Sequence, residues 1–429
     1  MMCCMLGLAL GVHAQESVFL QQYREKVKAY NQDIKSAGYA VSIRQEAEKS
    51  AKADFLPSLS GNANASYTGN PLELYRELPS IETPLYFQGR DTKYGASVTL
   101  LQPVYSGGAL KAGLEKSRKE KESALYEEKR VTNDVLYQAD QYYWNKVACE
   151  EMVEVAAGFK ESVAALVEVV RHRVEEEYTD RNDLLMAEVK LNDAKFRLEQ
   201  ARNEAEVARL SMNSFSGEAS DKVILTDSLV VPLTEVQVYE QTLETAMAHR
   251  PELRIAANQV AIQQSAARIA NSRYLPKLSV GVDGSYSSPG YDFNSDLDPN
   301  YMVYAKLSVP IFEWGKRKNT RHIGKLDVNR ALENQSKVAD GVRLEVETAY
   351  YTYTQAVRQV CLTESSLAKA ATSEQLAMDK YKEGTISIVE VLNAQMYHQE
   401  AELNHIRSKL RAQLAKSSLE RAAGRLGEY

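Results

Sequence analysis

No stretch of the sequence approaches the roughly 18–20 consecutive apolar residues that a transmembrane helix needs, and the mean hydropathy is −0.41. A spanning helix is excluded. A spanning β-barrel is not, because only alternate residues of its strands need be apolar. Cysteine occurs four times in 429 residues. Cys3 and Cys4 fall in MMCCMLGLALGVHA, residues 1–14, which reads as a signal peptide. It has an apolar core from Leu6 to Val12 and an A-x-A-like site, Val12-His13-Ala14, before Gln15, although a basic start is missing. Neither cysteine follows a lipoprotein-type pattern, so no lipid anchor is expected. Cys149 and Cys361 remain, too few for a disulfide framework, and are expected to pack inside helices. Also absent are H-E-x-x-H, a phosphate-binding glycine-rich loop and C-x-x-C. His398 and His405 lie seven residues apart on one helical stretch, a poor spacing for one metal. No catalytic residue, cofactor or metal is expected. A formal net charge of −6 without a basic stripe gives no sign of nucleic-acid binding.

Proline is also scarce, and its gaps are informative. None occurs between Pro103 and Pro232 or after Pro310. Proline inside a helix costs about 3 kcal/mol, so these gaps suit continuous helices. The pattern predicts one from Ala109 to Glu176, on the order of 100 Å long at about 1.5 Å per residue. Thr179 to Asn182 break it, and a second helix runs from Asp183 to about Phe215. Residues 18–54 read as a single helix stopped by Leu56-Pro57, and Pro251 opens another running to Tyr274. Gly217 to Leu233 reads as a non-helical insertion with short β-like runs, Val223–Leu225 and Leu229–Val231. In the last helix Val389, Leu392, Met396, Gln399, Leu403, Ile406, Leu410 and Gln413 follow the 3–4 spacing of a packing seam.

What the chain does contain is a mainly two-residue alternation, four times over. Leu59, Gly61, Ala63, Ala65 and Tyr67 alternate with Ser60, Asn62, Asn64, Ser66 and Thr68, and Tyr94–Gln102 repeats the pattern. Leu278–Tyr286 and Tyr301–Val309 form a second pair. Each is a strand with one apolar and one polar face, of about the 9–11 residues that cross a bilayer core. Asp283 and Lys306 fall on the polar face, expected to be a lumen. Tyr67, Tyr94, Tyr286 and Tyr301 mark one end of the strands, and Phe55, Tyr105, Tyr274, Phe312 and Trp314 the other, as two aromatic girdles. Four strands cannot close a barrel, and an open edge in lipid costs several kcal/mol per unpaired group. Several chains must therefore share one barrel.

The layout is duplicated. Val309-Pro310-Ile311-Phe312-Glu313-Trp314-Gly315 repeats Gln102 to Gly108 after 207 residues, and Tyr143 meets Tyr350 at the same offset. This divides the chain into a signal peptide (1–14), a first repeat (15–216), an insertion (217–240) and a second repeat (241–429). The first repeat has strands at about 58–69 and 93–104 and a helical hairpin at about 109–215. The second has strands at about 277–288 and 301–311 and a hairpin at about 316–426.

This order, with Tyr381-Lys382-Glu383-Gly384-Thr385 followed by Ser387, Glu390, Val391, Leu392 and Ala394, resembles the TolC family of outer-membrane efflux proteins over essentially the whole mature chain. In the first-half copy Glu177 replaces the glycine, while Asp183-Leu184-Leu185-Met186-Ala187 keeps the rest. The resemblance implies a mainly α fold with a transmembrane β portion. A homotrimer would close a twelve-strand barrel in the outer membrane and a long helical periplasmic barrel, with 217–240 in a belt around the tunnel. It implies an exit duct for tripartite efflux or type I secretion, partnered by a periplasmic adaptor and an inner-membrane transporter. Glu390 and Asn393 would form constricting rings, and Tyr381 and Asp183 the closing links. Ile386 stands where the family has arginine, so closure is expected to use Tyr381–Asp183 hydrogen bonding and apolar contact by Ile386. Gly384, Ser387, Glu177 and Asp180 would meet the adaptor. A competing reading is a periplasmic coiled-coil adaptor or structural protein with no barrel, which salt washing would strip from membranes.

Overall fold

A computed structural model describes residues 18–77, 79, 83–231, 238–288 and 296–426. The segment read as a signal peptide, part of the insertion and part of the connection between the two strands of the second repeat lie outside the described residues. The elements run α1 (Val18–Tyr30), α2 (Gln32–Ala53), β1 (Ser58–Tyr67), β2 (Glu73–Arg76), β3 (Leu85–Gln88), β4 (Thr92–Tyr105), α3 (Ala109–Glu175), α4 (Arg181–Ser216), α5 (Tyr239–His249), α6 (Pro251–Ser272), β5 (Lys277–Ser288), β6 (Asp298–Ser308), α7 (Lys316–Lys382) and α8 (Ile388–Ala422). The two long helices α3 and α7 are each 67 residues. Two compact units share the chain: Met1–Ala40 with Leu125–Arg254 and Ser336–Tyr429, and Val41–Ala124 with Ile255–Gln335. No described helix is long and apolar enough to cross a membrane.

The second unit holds an antiparallel sheet in the order β1-β4-β5-β6. Its register carries one alternation across all four strands. Ser60 faces Thr99, Thr99 faces Asp283 and Asp283 faces Met302, on one side. Gly61 faces Val98, Val98 faces Gly284 and Gly284 faces Tyr301, on the other. Because side chains alternate with period two, Leu59, Val98, Leu100, Val280, Val282, Val303 and Leu307 share the second side. Tyr67, Tyr94, Tyr286 and Tyr301 lie on that same apolar side at one end of the sheet, all exposed. Asp283 and Lys306 share the polar side, as expected. β1 and β6 are the outer strands, each with one edge unpaired in this sheet.

The first unit is helical. Leu20, Tyr23, Val27, Val135, Ala139, Tyr143, Trp144, Val147, Met212 and Ile406 pack one core from α1, α3, α4 and α8. Inside it the Arg24 guanidinium grips the fully buried Asp140 carboxylate with two hydrogen bonds of 2.8 and 2.7 Å. Burial also pushes the Tyr23 phenol well above its ordinary value.

Several sequence expectations change. The single helix over 18–54 is two, because Asn31 caps a new start: its Oδ1 accepts from Asp33 N and Ile34 N at 2.9 and 3.3 Å, the usual work of an N-cap asparagine. The β-like runs 223–225 and 229–231 are not strands. Side chains of the helices satisfy that backbone instead. Leu229 N donates to Glu151 at 2.9 Å, Asp227 N to Tyr143 Oη at 3.0 Å, and Gln413 Nε2 to Val230 O at 2.5 Å. Helix α5 was not foreseen; its N-cap, Val238, makes no side-chain capping bond, so the start carries no polar signal. Likewise the loop 71–92 contains a hairpin, Glu73–Arg76 against Leu85–Gln88, hidden by flanking prolines.

The seam of α8 is shifted only in its first turns: Ile388, Val391 and Gln395 are buried there while Val389 and Met396 are exposed, and further on Gln399, Ile406 and Gln413 are buried as expected. Gln395 looks misplaced until its partner is known: its amide donates to Ser162 Oγ at 2.8 Å. Cys361 is exposed and so does not pack, while Cys149 is half-buried, and burial raises its thiol pKa.

Removing one member of a buried ion pair strands the other and costs about 3–5 kcal/mol. Asp140→Asn should therefore lower the thermal unfolding midpoint of the helical circular-dichroism signal by several degrees. An unchanged midpoint would show that the pair contributes nothing net.

Candidate functional site: the two helical turns

The functional residues expected from the sequence cluster at the turns joining α3 to α4 and α7 to α8, both in the first unit. The two turns are built alike. After α3, Tyr178 N donates to Arg173 O at 2.8 Å and Glu177 N to Val174 O at 3.1 Å. After α7, Thr385 N donates to Lys380 O at 3.0 Å and Gly384 N to Tyr381 O at 2.9 Å. This paired closure places one residue in the left-handed region. In the second turn it is Gly384 at φ 78°; in the first it is Glu177 at φ 61°. The glutamate that broke the sequence motif keeps the backbone shape, at the steric cost glycine avoids.

Each following helix is then capped. Asp180 accepts from Asn182 N at 3.2 Å. The Glu390 carboxylate accepts from Ser387 N at 3.2 Å and Ser387 Oγ at 3.0 Å. Asp183, at the place in α4 that Glu390 holds in α8, accepts from Thr179 Oγ1. Both carboxylates thus lie in first turns, where the helix dipole favours them.

The predicted gate residues divide into two groups. Ile386, Glu390 and Asn393 line one open concavity with Lys380, Thr372, Leu376 and Tyr397. Tyr381 is 3% exposed and packs with Leu166, Val167, Val170, Ala187, Ile388 and Val391, with Ile386 partly covering the cluster. The expected Tyr381–Asp183 hydrogen bond is absent: Tyr381 Oη is buried without a partner, and the carboxylate is turned to Thr179. Burial raises the Tyr381 phenol above its ordinary value, opposed by the charge of Arg173. Gly384, Ser387, Glu177 and Asp180 are all exposed. His398 and His405 take separate partners, Glu374 and Thr363.

Arg173 was missed by sequence reasoning. From the last turn of α3 it donates to the Tyr381 carbonyl and, at 3.5 Å, to that of Lys382. Its guanidinium lies 5.0 Å from the centre of the Tyr381 ring. It therefore caps the C-terminus of the other hairpin's long helix with charge and covers its aromatic. A cation in the last turn of α3 was readable; its aim across hairpins was not.

Two halves of equal design, each a long helix, a left-handed turn and a capped return helix, meet a direct comparison. The profile of the outer membrane efflux protein family matches the chain twice, over residues 24–218 and 242–425. The chain belongs to that family. The outer membrane efflux protein BepC of Brucella suis biovar 1 is 23% identical over 380 residues, covering 86% of this chain and 77% of BepC. The outer membrane channel CmeC of Campylobacter jejuni has the same fold with a TM-score of 0.75 at 16% identity, over 95% of this chain and 86% of CmeC. The outer membrane protein VceC of Vibrio cholerae gives 0.77 at 14% identity, over 94% and 96%. As an outer membrane efflux protein, the chain is a transport channel of the outer membrane, and the soluble adaptor reading is set aside.

Arg173→Met keeps the length of the side chain and removes the charge and donors. Charged hydrogen bonds contribute about 1.5–3 kcal/mol each, so amide exchange over 380–386 should accelerate by more than tenfold. Unchanged protection there would show that apolar packing alone holds the turns together.

Proposed function

We propose that three copies of this chain form a gated exit duct that passes substrates outward from an inner-membrane transporter through a periplasmic adaptor. One observation supports a barrel shared between chains, which the family resemblance puts at three: a sheet with one apolar face whose two outer edges are unpaired among the described residues. In lipid such edges are satisfied only by closure. About eight strands make the narrowest barrels, already filled by side chains; three copies of four strands leave a lumen. Among the described residues, 217–231 and 238–240 then join a belt around the tunnel.

At the turns, Glu390 and Asn393 from three copies form the constriction. Their place on one open face, apart from the buried Tyr381, supports this. A ring of carboxylates favours cations, and asparagine at the second level leaves it less negative than two acidic levels. Closure within the chain uses Arg173 on Tyr381 together with Ile386, and Asp183 holds its own turn. The exposed residues Gly384, Ser387, Glu177 and Asp180 supply the adaptor surface. No reaction is assigned.

Two measurements test this. Cysteines scanned along β1 and β6 should cross-link between copies and yield a ladder ending at three chains; a ladder ending at two, or none, overturns the trimer. In planar bilayers Glu390→Gln should lower cation-over-anion selectivity severalfold. Unaltered selectivity would leave Glu390 as a helix cap and no more.

A further inference from the structure

The start of α7 carries Lys316, Arg317, Lys318, Arg321 and Lys325, five cations in ten residues, and Glu313 is the only carboxylate between residues 299 and 326. All five cations are exposed, and none has an ion-pair partner among the described residues. Nearby cations do find partners: Arg330 pairs with Asp327 at 3.2 Å and Arg268 with Glu115 at 2.5 Å. The cluster also opposes the helix dipole, which favours anions at this end. Exposed Arg273 and Lys277 add to it. Tyr274 Oη lies 2.9 Å from Thr320 Oγ1, which brings the end of α6 to the first turns of α7. Lys277 pairs with Ser308 at the same end of the sheet.

Immediately before these cations stand Ile311, Phe312 and Trp314, exposed by 94, 70 and 87%. The two rings stack edge-to-face at 4.9 Å. Trp314 has φ 47°, a left-handed backbone that the matching position of the first half gives to Gly107, at φ 64°. A bulky residue held in that region is strained, and such strain marks function. Here it turns the largest aromatic of the segment outward instead of into a core.

We propose that this collar binds the phosphates of anionic lipid headgroups, with Ile311, Phe312 and Trp314 in the acyl boundary beneath them. The inference rests on the reading that the sheet spans the membrane, and it adds a lipid preference to that reading. Charge selects the headgroup, since each cation near a bilayer surface attracts anionic lipid. The exposed rings, continuous in sequence with β6, select a bilayer over an acidic protein.

Trp314 is itself the probe, because Trp144, the other tryptophan, is buried. The full chain is reconstituted in phosphatidylcholine vesicles carrying equal fractions of either brominated phosphatidylglycerol or brominated phosphatidylcholine. The signal of Trp314→Phe is subtracted. Brominated phosphatidylglycerol should quench Trp314 severalfold more at low salt, and high salt should abolish the difference. The variant K316Q/R317Q/K318Q/R321Q/K325Q should be quenched equally by both lipids. Equal quenching in the parent chain, or a preference that survives high salt or the five substitutions, overturns the proposal. Absence of quenching by both lipids overturns it as well, with protein covering the rings. Carbonate extraction of the same vesicles reads insertion separately, so loss of the spanning sheet is distinguished from loss of lipid selection.

Discussion

A strand that faces lipid must give every backbone N–H and C=O a protein partner, because the bilayer core offers none. That constraint governs the molecule. Its four strands satisfy one another in the order β1-β4-β5-β6 and leave the outer edges of β1 and β6 open. The apolar side calls for lipid, and the open edges forbid a single copy from living there. The duplication follows the same logic: each half supplies two strands of that sheet and one helical hairpin, so one chain delivers a pre-registered four-stranded piece of wall.

The turns show how duplication permits divergence. Both close by the same pair of backbone bonds, yet one uses glycine and the other Glu177 in the left-handed region. Backbone hydrogen bonding sets that shape, and the side chain only modulates its cost. The link between the hairpins has likewise moved. Arg173 caps the helix that ends at Lys382 and lies over Tyr381, so a cation on one hairpin serves where Ile386 supplies only apolar contact. The same divergence puts Trp314 where the first half has Gly107, both in the left-handed region.

Strands and long helices were legible because their signals are dense and local. Period-two alternation over about ten residues defines a face, and proline-free spans of the observed length admit few alternatives to helix. What escaped were features whose meaning lies in a partner. Gln395 reads as surface until Ser162 accounts for its amide. Leu229–Val231 reads as strand until helix side chains are seen to satisfy that segment's backbone. Asn31 reads as an ordinary polar residue inside a helix until its oxygen is found on Asp33 and Ile34. At the turns, the motif located Tyr381, Glu390 and Asn393, but not which of them is buried and which is open.

Local pattern by itself determined the class of element, the two-fold plan and the family, since each depends on spacing along one chain. Only the tertiary structure decided which residues touch: Arg173 on Tyr381, Asp140 under Arg24, and one continuous apolar side across four strands. Those outcomes depend on register between strands and on desolvation between segments far apart in the chain, and no local preference encodes them.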